Sequence, residues 1–392
     1  MSTYARPKTV SAVSTKSRRG ALYTAFMSMI LMGATVSMVG ALLPSIIVDL
    51  ALSDGQAGLL VASPALGYVI TALLAGALGD ALGFRRVWIM GVGLGILALL
   101  AIAFSPGFAW MLPAMVAMGL VAGAFDGAIN PLIASLYEER SGGILNNVHL
   151  FFGMGATITP FLISLGLRYG LGWRWHFGLL SLYVLLVGIV ILRTRFPAPP
   201  QRGIATEPLS LGQILRRRLV LLAILVMFLY VGAEASVFAW SALFLERLRG
   251  VPLSAASLSV SLFGGTIMIG RLICGQIAEQ VGYKRLIVAS SFLSTIGVAI
   301  LLWGPGALAP WLGVGLTGLA YSGIFATIMA QVTARSPGYE GTVSGLLCSA
   351  GGLGQIVFPW AVGMLSDAAG LPVGMALVFG ISALMGLFYL LT

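Results

Sequence analysis

Two stretches of the chain, half its length apart, carry the same pattern of glycines and charged residues. Residues 76–87 read GALGDALGFRRV and residues 275–286 read GQIAEQVGYKRL, so two glycines, an acid and a basic pair return after 199 residues. The same offset relates Pro160 to Pro359 in later segments. A repeat that spans half of a 392-residue chain indicates two copies of one structural unit.

The composition indicates that both units lie in a membrane. Hydrophobic residues make up 59% of the chain and charged residues only 9%, whereas soluble domains carry about 25% charged residues. Since a helix needs roughly 20 apolar residues to cross a bilayer, the length allows about a dozen crossings, and no strand pattern competes with the helical one. We therefore expect an all-α membrane protein of twelve transmembrane helices in two pseudo-symmetric six-helix bundles.

Polar segments divide the chain into four regions. Residues 1–20 are predicted to be a basic tail, because the apolar run that follows them is too long for a signal peptide. The segment 194–218 contains the sequence FPAPP and ends in three arginines, which is typical of a polar, proline-stiffened linker. Residues 21–193 and 219–392 would then form the two six-helix bundles.

The net charge of +10 does not indicate a nucleic-acid partner, because the basic residues are sorted by loop. If the loops alternate across the membrane, 17 of the 22 lysines and arginines lie on the side of the N-terminus and four on the other side. This bias predicts that both termini, the tail and the linker are cytoplasmic. The expected location is the plasma membrane, which is the inner membrane if the protein is bacterial. Cys274 and Cys348 lie in apolar segments, so neither a disulfide nor a metal site is predicted.

Two acidic residues lie deep inside predicted spans. Asp126 is about sixteen residues into the fourth span and Glu234 about fifteen residues into the seventh, so both are expected near the midplane, one in each bundle. A charge there costs roughly 2.5 to 3.5 kcal/mol, which makes each acid a candidate functional group. For Asp126, the alternative is a permanently protonated group that only hydrogen-bonds a neighbouring helix.

The duplicated stretch resembles the loop between helices 2 and 3, and between helices 8 and 9, of the major facilitator superfamily. This resemblance implies a transporter that works by alternating access rather than an enzyme. No nucleophile with a base, metal ligand set or cofactor loop is visible in the sequence, and no catalytic residue, metal or cofactor is predicted.

In the superfamily, the duplicated loops form a cytoplasmic gate, and the resemblance implies the same here. The alternative is that these residues form only solvent-exposed ion pairs, each of which stabilises the protein by about 0 to 1 kcal/mol. In the predicted gate Asp80 pairs with Arg140 or a helix N-terminus, Arg85 and Arg86 meet Glu138 or Glu139, and Glu279, Lys284, Arg285 and Glu340 form a second set.

The surroundings of Asp126 resemble the fourth helix of the fucose, glucose and galactose proton symporter family. As in that family, the acid is followed by an Asn-Pro pair, here Asn130 and Pro131. The resemblance implies that Asp126 binds and releases a proton during sugar uptake, and that Asn130, on the same helix face, contacts the sugar. This chain has Gly40 where the fucose branch carries an acid in the first helix, so proton coupling would rest mainly on Asp126.

The seventh span resembles the same family through its spacing of Tyr230, Glu234, Ser236 and Trp240. The resemblance implies that Glu234 takes part in proton coupling and, with Tyr230 and Trp240, in binding the sugar. Carboxylates accept hydrogen bonds from hydroxyl groups, and an aromatic ring covers the C–H face of a sugar. The alternative for Trp240 is a packing role, which is commoner for a tryptophan in a membrane helix.

Four further residues are candidates. His149 resembles the start of the fifth helix in the sugar-carrier branch and would act in solute binding, in gating or packing, or as a proton relay. Gln355 offers an amide to a hydroxylated ligand, and Phe325, 199 residues after Asp126, would form an apolar wall of the site. Arg271 is expected to have a structural role near the cytoplasmic end of the eighth helix, with substrate contact as the alternative.

Together these features predict a secondary active transporter that takes up a monosaccharide, or a similar small hydroxylated solute, with protons. It would act as a monomer in the lipid bilayer. One alternative is a proton-driven exporter of a drug-like or amphiphilic compound, which a mainly aromatic cavity would favour. The other is a non-transporting membrane receptor or scaffold, which would need neither the gate loops nor the buried acids.

Overall fold

The computed structural model of the chain describes residues 15–137, 141–194, 196, 217–336 and 339–392. Within these residues the chain forms twelve helices and no strand. The helices are α1 (Thr15–Leu50), α2 (Asp54–Leu82), α3 (Phe84–Ala103), α4 (Phe108–Leu136), α5 (Ser141–Arg168), α6 (Trp173–Arg193), α7 (Arg218–Arg249), α8 (Leu253–Val281), α9 (Tyr283–Trp303), α10 (Ala309–Ala334), α11 (Glu340–Ala369) and α12 (Leu371–Leu390).

The length and apolarity of these helices confirm the all-α membrane fold. Among the described residues, eleven helices are long and apolar enough to cross a bilayer. The remaining helix, α2, has 29 residues, and some of its side chains lie outside the described set. α1 begins at Thr15, so residues 15–20 of the predicted tail are helical. α8 is interrupted at Ser257, and α10 at Ser322 and Gly323. The chain is thus a multi-pass membrane protein.

Glycines allow the helices of each bundle to pack at short distance. A Cβ atom at Gly119 of α4 would overlap the carbonyl oxygen of Pro64 in α2. At the positions 199 residues later, a Cβ at Gly318 of α10 would lie 2.7 Å from the carbonyl oxygen of Phe263 in α8. Such contacts hold helices together in lipid, where no hydrophobic driving force acts between them. The return of the same contact in the second half confirms the predicted pseudo-symmetry.

The two bundles, α1–α6 and α7–α12, meet through three pairs of helices: α1 with α7, α2 with α11, and α5 with α8. α6 ends and α7 begins at the same end of the molecule at which α1 starts. We call this end the linker side and the opposite end the distal side. The contacts of these three pairs decide to which side the interface between the bundles opens.

Candidate functional site

The distal side is closed by polar contacts between the two bundles. The Asp54 carboxylate at the start of α2 accepts hydrogen bonds from the Arg247 guanidinium of α7 at 2.7 and 2.9 Å, and from the Ser366 hydroxyl of α11. The Asp367 carboxylate of α11 accepts hydrogen bonds from the backbone N–H groups of Asp54 and Gly55 at 2.8 and 2.9 Å. A carboxylate in this position satisfies donors that lack a partner within the helix and meets the positive end of the helix dipole. We call Asp54, Arg247, Ser366 and Asp367 the distal clasp.

Close backbone packing continues the closure below the clasp. A Cβ at Gly58 of α2 would lie 2.8 Å from the carbonyl oxygen of Pro359 in α11. At the break in α8, the fully buried Ser257 hydroxyl donates to the Ala41 carbonyl of α1 at 2.8 Å. Each of these contacts joins one bundle to the other, so on the distal side α2 touches α7 and α11, and α8 touches α1.

α5 and α8 separate toward the linker side. A Cβ at Gly264 would lie 3.0 Å from the carbonyl oxygen of Ala156, and a Cβ at Gly153 would lie 3.1 Å from the side chain of Met268. Gly275 follows Met268 by seven residues and lies on the same helix face. A Cβ at Gly275 would meet no described atom within 4 Å. The two helices are therefore apart two turns beyond their last close contact.

α2 and α11 separate in the same direction. A Cβ at Gly352 of α11 would lie 2.7 Å from Val69 of α2. Gly345 lies seven residues nearer the linker side on the same face of α11, and a Cβ there would meet no described atom within 4 Å. The space between the bundles thus opens to the linker side while the distal side is closed. We call this space the central cleft.

Asp126 on α4 faces the central cleft. The Tyr68 hydroxyl of α2 donates a hydrogen bond to its carboxylate at 2.6 Å. The charge of Asp126 also interacts with His149 of α5 and with Cys348 of α11, which belongs to the other bundle. Cys348 is exposed, so its side chain is accessible at this level of the cleft. Asp126 is therefore directed toward the interface between the bundles and not toward lipid.

Glu234 on α7 is the acid of the second bundle. Its charge interacts with Tyr230 one turn away, with Tyr321 of α10 and with Arg271 of α8. The two tyrosine rings pack edge to face at 5.8 Å, and the Tyr321 hydroxyl shares a hydrogen bond with Ser382 at 2.6 Å. The Tyr230 hydroxyl is buried beside Glu234 and makes no hydrogen bond of normal geometry with a described atom. Because its hydroxyl lies next to a carboxylate that can bind hydroxyl groups with it, Tyr230 is a candidate for contact with a ligand.

Arg271 on α8 links the polar groups of the two bundles. Its positive charge interacts with Glu234 in its own bundle and with His149 in the other. The charges of Asp126 and His149 interact in turn, so a row of ionisable groups crosses the central cleft. We call Asp126, His149, Arg271 and Glu234 the central cluster. The sequence predicts a structural role near the end of α8, or contact with substrate, for Arg271, and in the structure its charge lies near those of Glu234 and His149.

The remaining predicted solute-binding residues differ in their surroundings. Trp240 is fully buried inside the second bundle, and its indole N–H donates to the Pro359 carbonyl at 3.1 Å. It therefore has a packing role in this conformation and no surface on which a sugar could stack. Gln355 on α11 and Phe325 on α10 are partly buried. The side chain of Asn130 lies outside the described residues.

The predicted gate lies on the linker side, and the structure describes only part of it. The Arg85 guanidinium donates to the Leu192 carbonyl of α6 at 3.0 Å, which is a contact within the first bundle. A cleft that opens to this side separates the helix ends that would carry the gate, so contacts between the bundles are not expected here. Arg86, Glu279, Lys284 and Arg285 are exposed and form no ion pair within the described part of the chain. Glu138, Glu139 and Arg140, and the side chains of Asp80 and Glu340, lie outside the described residues.

The distal clasp was missed at the level of the sequence. Its charged residues lie at helix ends, where charges are common, and Asp54 and Asp367 are 313 residues apart. One usable signal was the small number of basic residues on the distal side, of which Arg247 is one. Matching those arginines with the acids at distal helix ends would have drawn attention to Asp54 and Asp367.

Two related bundles of six helices, closed at one end around ionisable groups near the midplane, define a secondary membrane transporter. Comparison with known families agrees with this class, since residues 25–359 match the family described as Major Facilitator Superfamily. The chain belongs to this superfamily. The family and the structural neighbours are transporters rather than enzymes.

Individual relatives and solved structures are similar over most of their length. The chain is 25% identical over 328 residues to Membrane protein MosC of Rhizobium meliloti, covering 83% of this chain and 78% of that protein. It is 25% identical over 322 residues to a glucose/galactose transporter of Brucella abortus, covering 78% and 77%. A D-xylose-proton symporter has a TM-score of 0.80 at 16% identity, covering 95% of this chain and 97% of that chain. A mutant of the nucleoside transporter NupG has a TM-score of 0.81 at 15% identity, covering 96% and 99%.

Proposed function

We propose that the chain is a proton-coupled symporter that takes up a monosaccharide, or a similar small hydroxylated solute, by alternating access. The observation that carries this proposal is the central cluster, because ionisable groups of both bundles lie in a cleft that opens to one side. Two bundles that rock about such a site expose it to one compartment and then to the other. Similarity to a glucose/galactose transporter and to a D-xylose-proton symporter supports the solute class.

Asp126 is the proposed proton carrier, with Glu234 as the second acid. While the cleft faces the distal side, a proton bound to Asp126 removes its charge, which lowers the cost of enclosing the group in the membrane. When the cleft opens to the linker side, Asp126 releases the proton, and the hydrogen bond from Tyr68 stabilises the carboxylate that remains. His149, whose charge interacts with Asp126, is the neighbouring group through which the proton can leave.

Groups of the second bundle are the proposed partners of the solute hydroxyls. The Glu234 carboxylate accepts hydrogen bonds from hydroxyl groups, and the Tyr230 hydroxyl can donate one. Gln355 adds an amide and Phe325 an apolar wall. The excess of basic residues on the linker side predicts that this side is cytoplasmic. The conformation with an open linker side is then the one that releases solute into the cell.

Uptake into proteoliposomes tests the proposal. The parent, Asp126→Asn and Glu246→Gln would be reconstituted and given labelled glucose, galactose or xylose, with and without a pH gradient that is acidic outside. Glu246 lies on α7 near its distal end, so its amide variant controls for the loss of one carboxylate away from the central cluster. We expect the gradient to drive accumulation by the parent and by Glu246→Gln. Asp126→Asn should exchange solute across the membrane without accumulating it.

Two results would contradict the proposal. Accumulation by Asp126→Asn to the level of the parent would show that another group couples the proton. If none of the sugars is transported, and the same vesicles extrude a lipophilic dye when a gradient is applied, the protein is an exporter of amphiphilic compounds instead.

A further inference from the structure

Arg271 lies where α5 and α8 separate, at the closed end of the central cleft. Gly153 of α5 and Met268 of α8 form the last close contact between the two helices toward the linker side. Arg271 follows Met268 by three residues, and His149 precedes Gly153 by four, so each lies one turn nearer the linker side on the facing surface of its helix. One turn beyond Arg271, at Gly275, the space is open. The guanidinium is thus next to the point at which the bundles part.

The Arg271 guanidinium has no direct partner among the described residues. The side chain is only partly buried, and it forms neither a hydrogen bond nor an ion pair with them. Glu234 and His149 are near enough to interact with its charge. A guanidinium carries five N–H donors and keeps its charge, and a cation inside a membrane is rare unless it serves a site or a pathway.

We propose that Arg271 binds an anionic group of the transported solute, so that a hydroxylated organic acid or a sugar phosphate is taken up in preference to a neutral sugar. The inference rests on the proposed function, because it names the solute class of the same cleft. A guanidinium donates two parallel hydrogen bonds to the oxygens of a carboxylate or a phosphate. The open linker side leaves a path by which such a group can reach it.

The neighbours of Arg271 fit a solute that carries both hydroxyls and an anionic group. Glu234 and Tyr230 lie in the same bundle and can bind hydroxyls, while Asp126 carries the proton. A hydroxylated carboxylate that moves together with one proton transfers no net charge, so its uptake needs no membrane potential. The alternative is that Arg271 only offsets the charge of Glu234. In that case Arg271 would not distinguish an anion from a neutral sugar.

Binding can be measured at Cys348, which is exposed in the cleft at the level of Asp126. A bound solute should slow the alkylation of Cys348 by a maleimide in the purified protein, with Cys274 replaced by serine throughout. The probes are galacturonate, gluconate and glucose 6-phosphate as anions, and galactose and glucose as neutral controls. The variants are Arg271→Gln, Arg271→Lys and Arg168→Gln, which removes an exposed arginine at the distal end of α5.

We expect at least one anion to protect Cys348 at a concentration at which galactose and glucose do not. Arg271→Gln should raise the concentration that is needed by roughly 10- to 100-fold, the factor expected for hydrogen bonds to a charged group. Arg168→Gln should match the parent. Arg271→Lys should lie between the parent and Arg271→Gln, because lysine keeps the charge but not the planar pair of donors. If Arg271→Gln does not fold, the parent is compared with Arg271→Lys instead.

Three results would overturn the inference: protection by neutral sugars alone, protection by none of the probes, or equal protection by an anion in the parent and in both Arg271 variants. Because alkylation reports binding without a gradient, its result is separate from the test of symport. Anion protection that depends on Arg271, with no gradient-driven uptake of any probe, would refute symport and support the inference. Gradient-driven uptake of a neutral sugar that is unchanged in Arg271→Gln would support symport and refute the inference.

Discussion

Breaking the distal clasp should open the distal side of the transporter. Asp54 bonds to Arg247 and Ser366 across the interface between the bundles, and these bonds exist only while α2 lies against α7 and α11. Asp54→Asn keeps the size of the side chain but removes its charge. Ser53 and Gln56 still cap α2, since the side chain of each bonds to the backbone N–H of the other. The variant therefore weakens the closure without unwinding the helix.

The magnitude follows from the burial of the ion pair. The Asp54 side chain is 10% exposed and the Arg247 side chain 33% exposed. A hydrogen bond to a charged group contributes about 1.5 to 3 kcal/mol, and a solvated ion pair about 0 to 1 kcal/mol. Because this ion pair is neither fully buried nor fully solvated, we expect Asp54→Asn to destabilise the distal-closed conformation by about 1 to 2 kcal/mol. Since about 1.4 kcal/mol corresponds to a factor of ten, the ratio of distal-open to distal-closed molecules should rise about 5- to 30-fold.

Cysteine labelling from the distal side measures this ratio. Ser257→Cys, in a protein without Cys274 and Cys348, places a thiol at the fully buried contact between α8 and α1. The thiol can react with a membrane-impermeant maleimide only while the distal side is open, so the rate reports the open population. The matched control is Asp49→Asn, which removes an acid that pairs with Arg174 inside the first bundle.

Labelling of Asp54→Asn should be about 5- to 30-fold faster than that of the parent, and labelling of Asp49→Asn should not change. Equal acceleration in both variants would refute the reasoning, because a contact within one bundle would then matter as much as a contact between bundles. An unchanged rate in Asp54→Asn would also refute it. The backbone contact of Gly58 with Pro359 would then suffice to hold the distal side closed.

Three further predictions concern coupling, packing and Trp240. Tyr68→Phe removes the hydroxyl that bonds to Asp126, so proton-driven accumulation in proteoliposomes should fall about tenfold while solute exchange persists. Gly119→Ala should lower the melting temperature, since overpacking costs about 1 to 3 kcal/mol, whereas Gly93→Ala, with nothing within 4 Å of its Cβ, should not. Trp240→Phe should lower the melting temperature by removing a buried hydrogen bond, and leave the KM for solute unchanged. A raised KM for solute in Trp240→Phe would show that Trp240 contributes to solute binding.

The sequence by itself determined the membrane class, the duplication and the positions of the midplane acids. These are properties of position along the chain, because apolar length decides where a helix crosses a bilayer. The offset between the two halves of the sequence also relates their helix contacts, because the contact of Gly119 with Pro64 recurs as the contact of Gly318 with Phe263. A charge within a long apolar run is visible without knowledge of its neighbours, which is why Asp126 could be recognised.

Only the tertiary structure decided which end of the molecule is closed and which polar groups meet. Asp54 and Asp367 are 313 residues apart, and nothing along the chain indicates that the ends of their helices touch. The surroundings of Arg271 and Trp240 could not be deduced from the sequence either. Arg271 lies in the cleft, and Trp240 lies inside the second bundle. Helical periodicity groups residues by face. Which face meets the cleft depends on how neighbouring helices pack, and that packing is a property of contacts through space rather than of spacing along the chain.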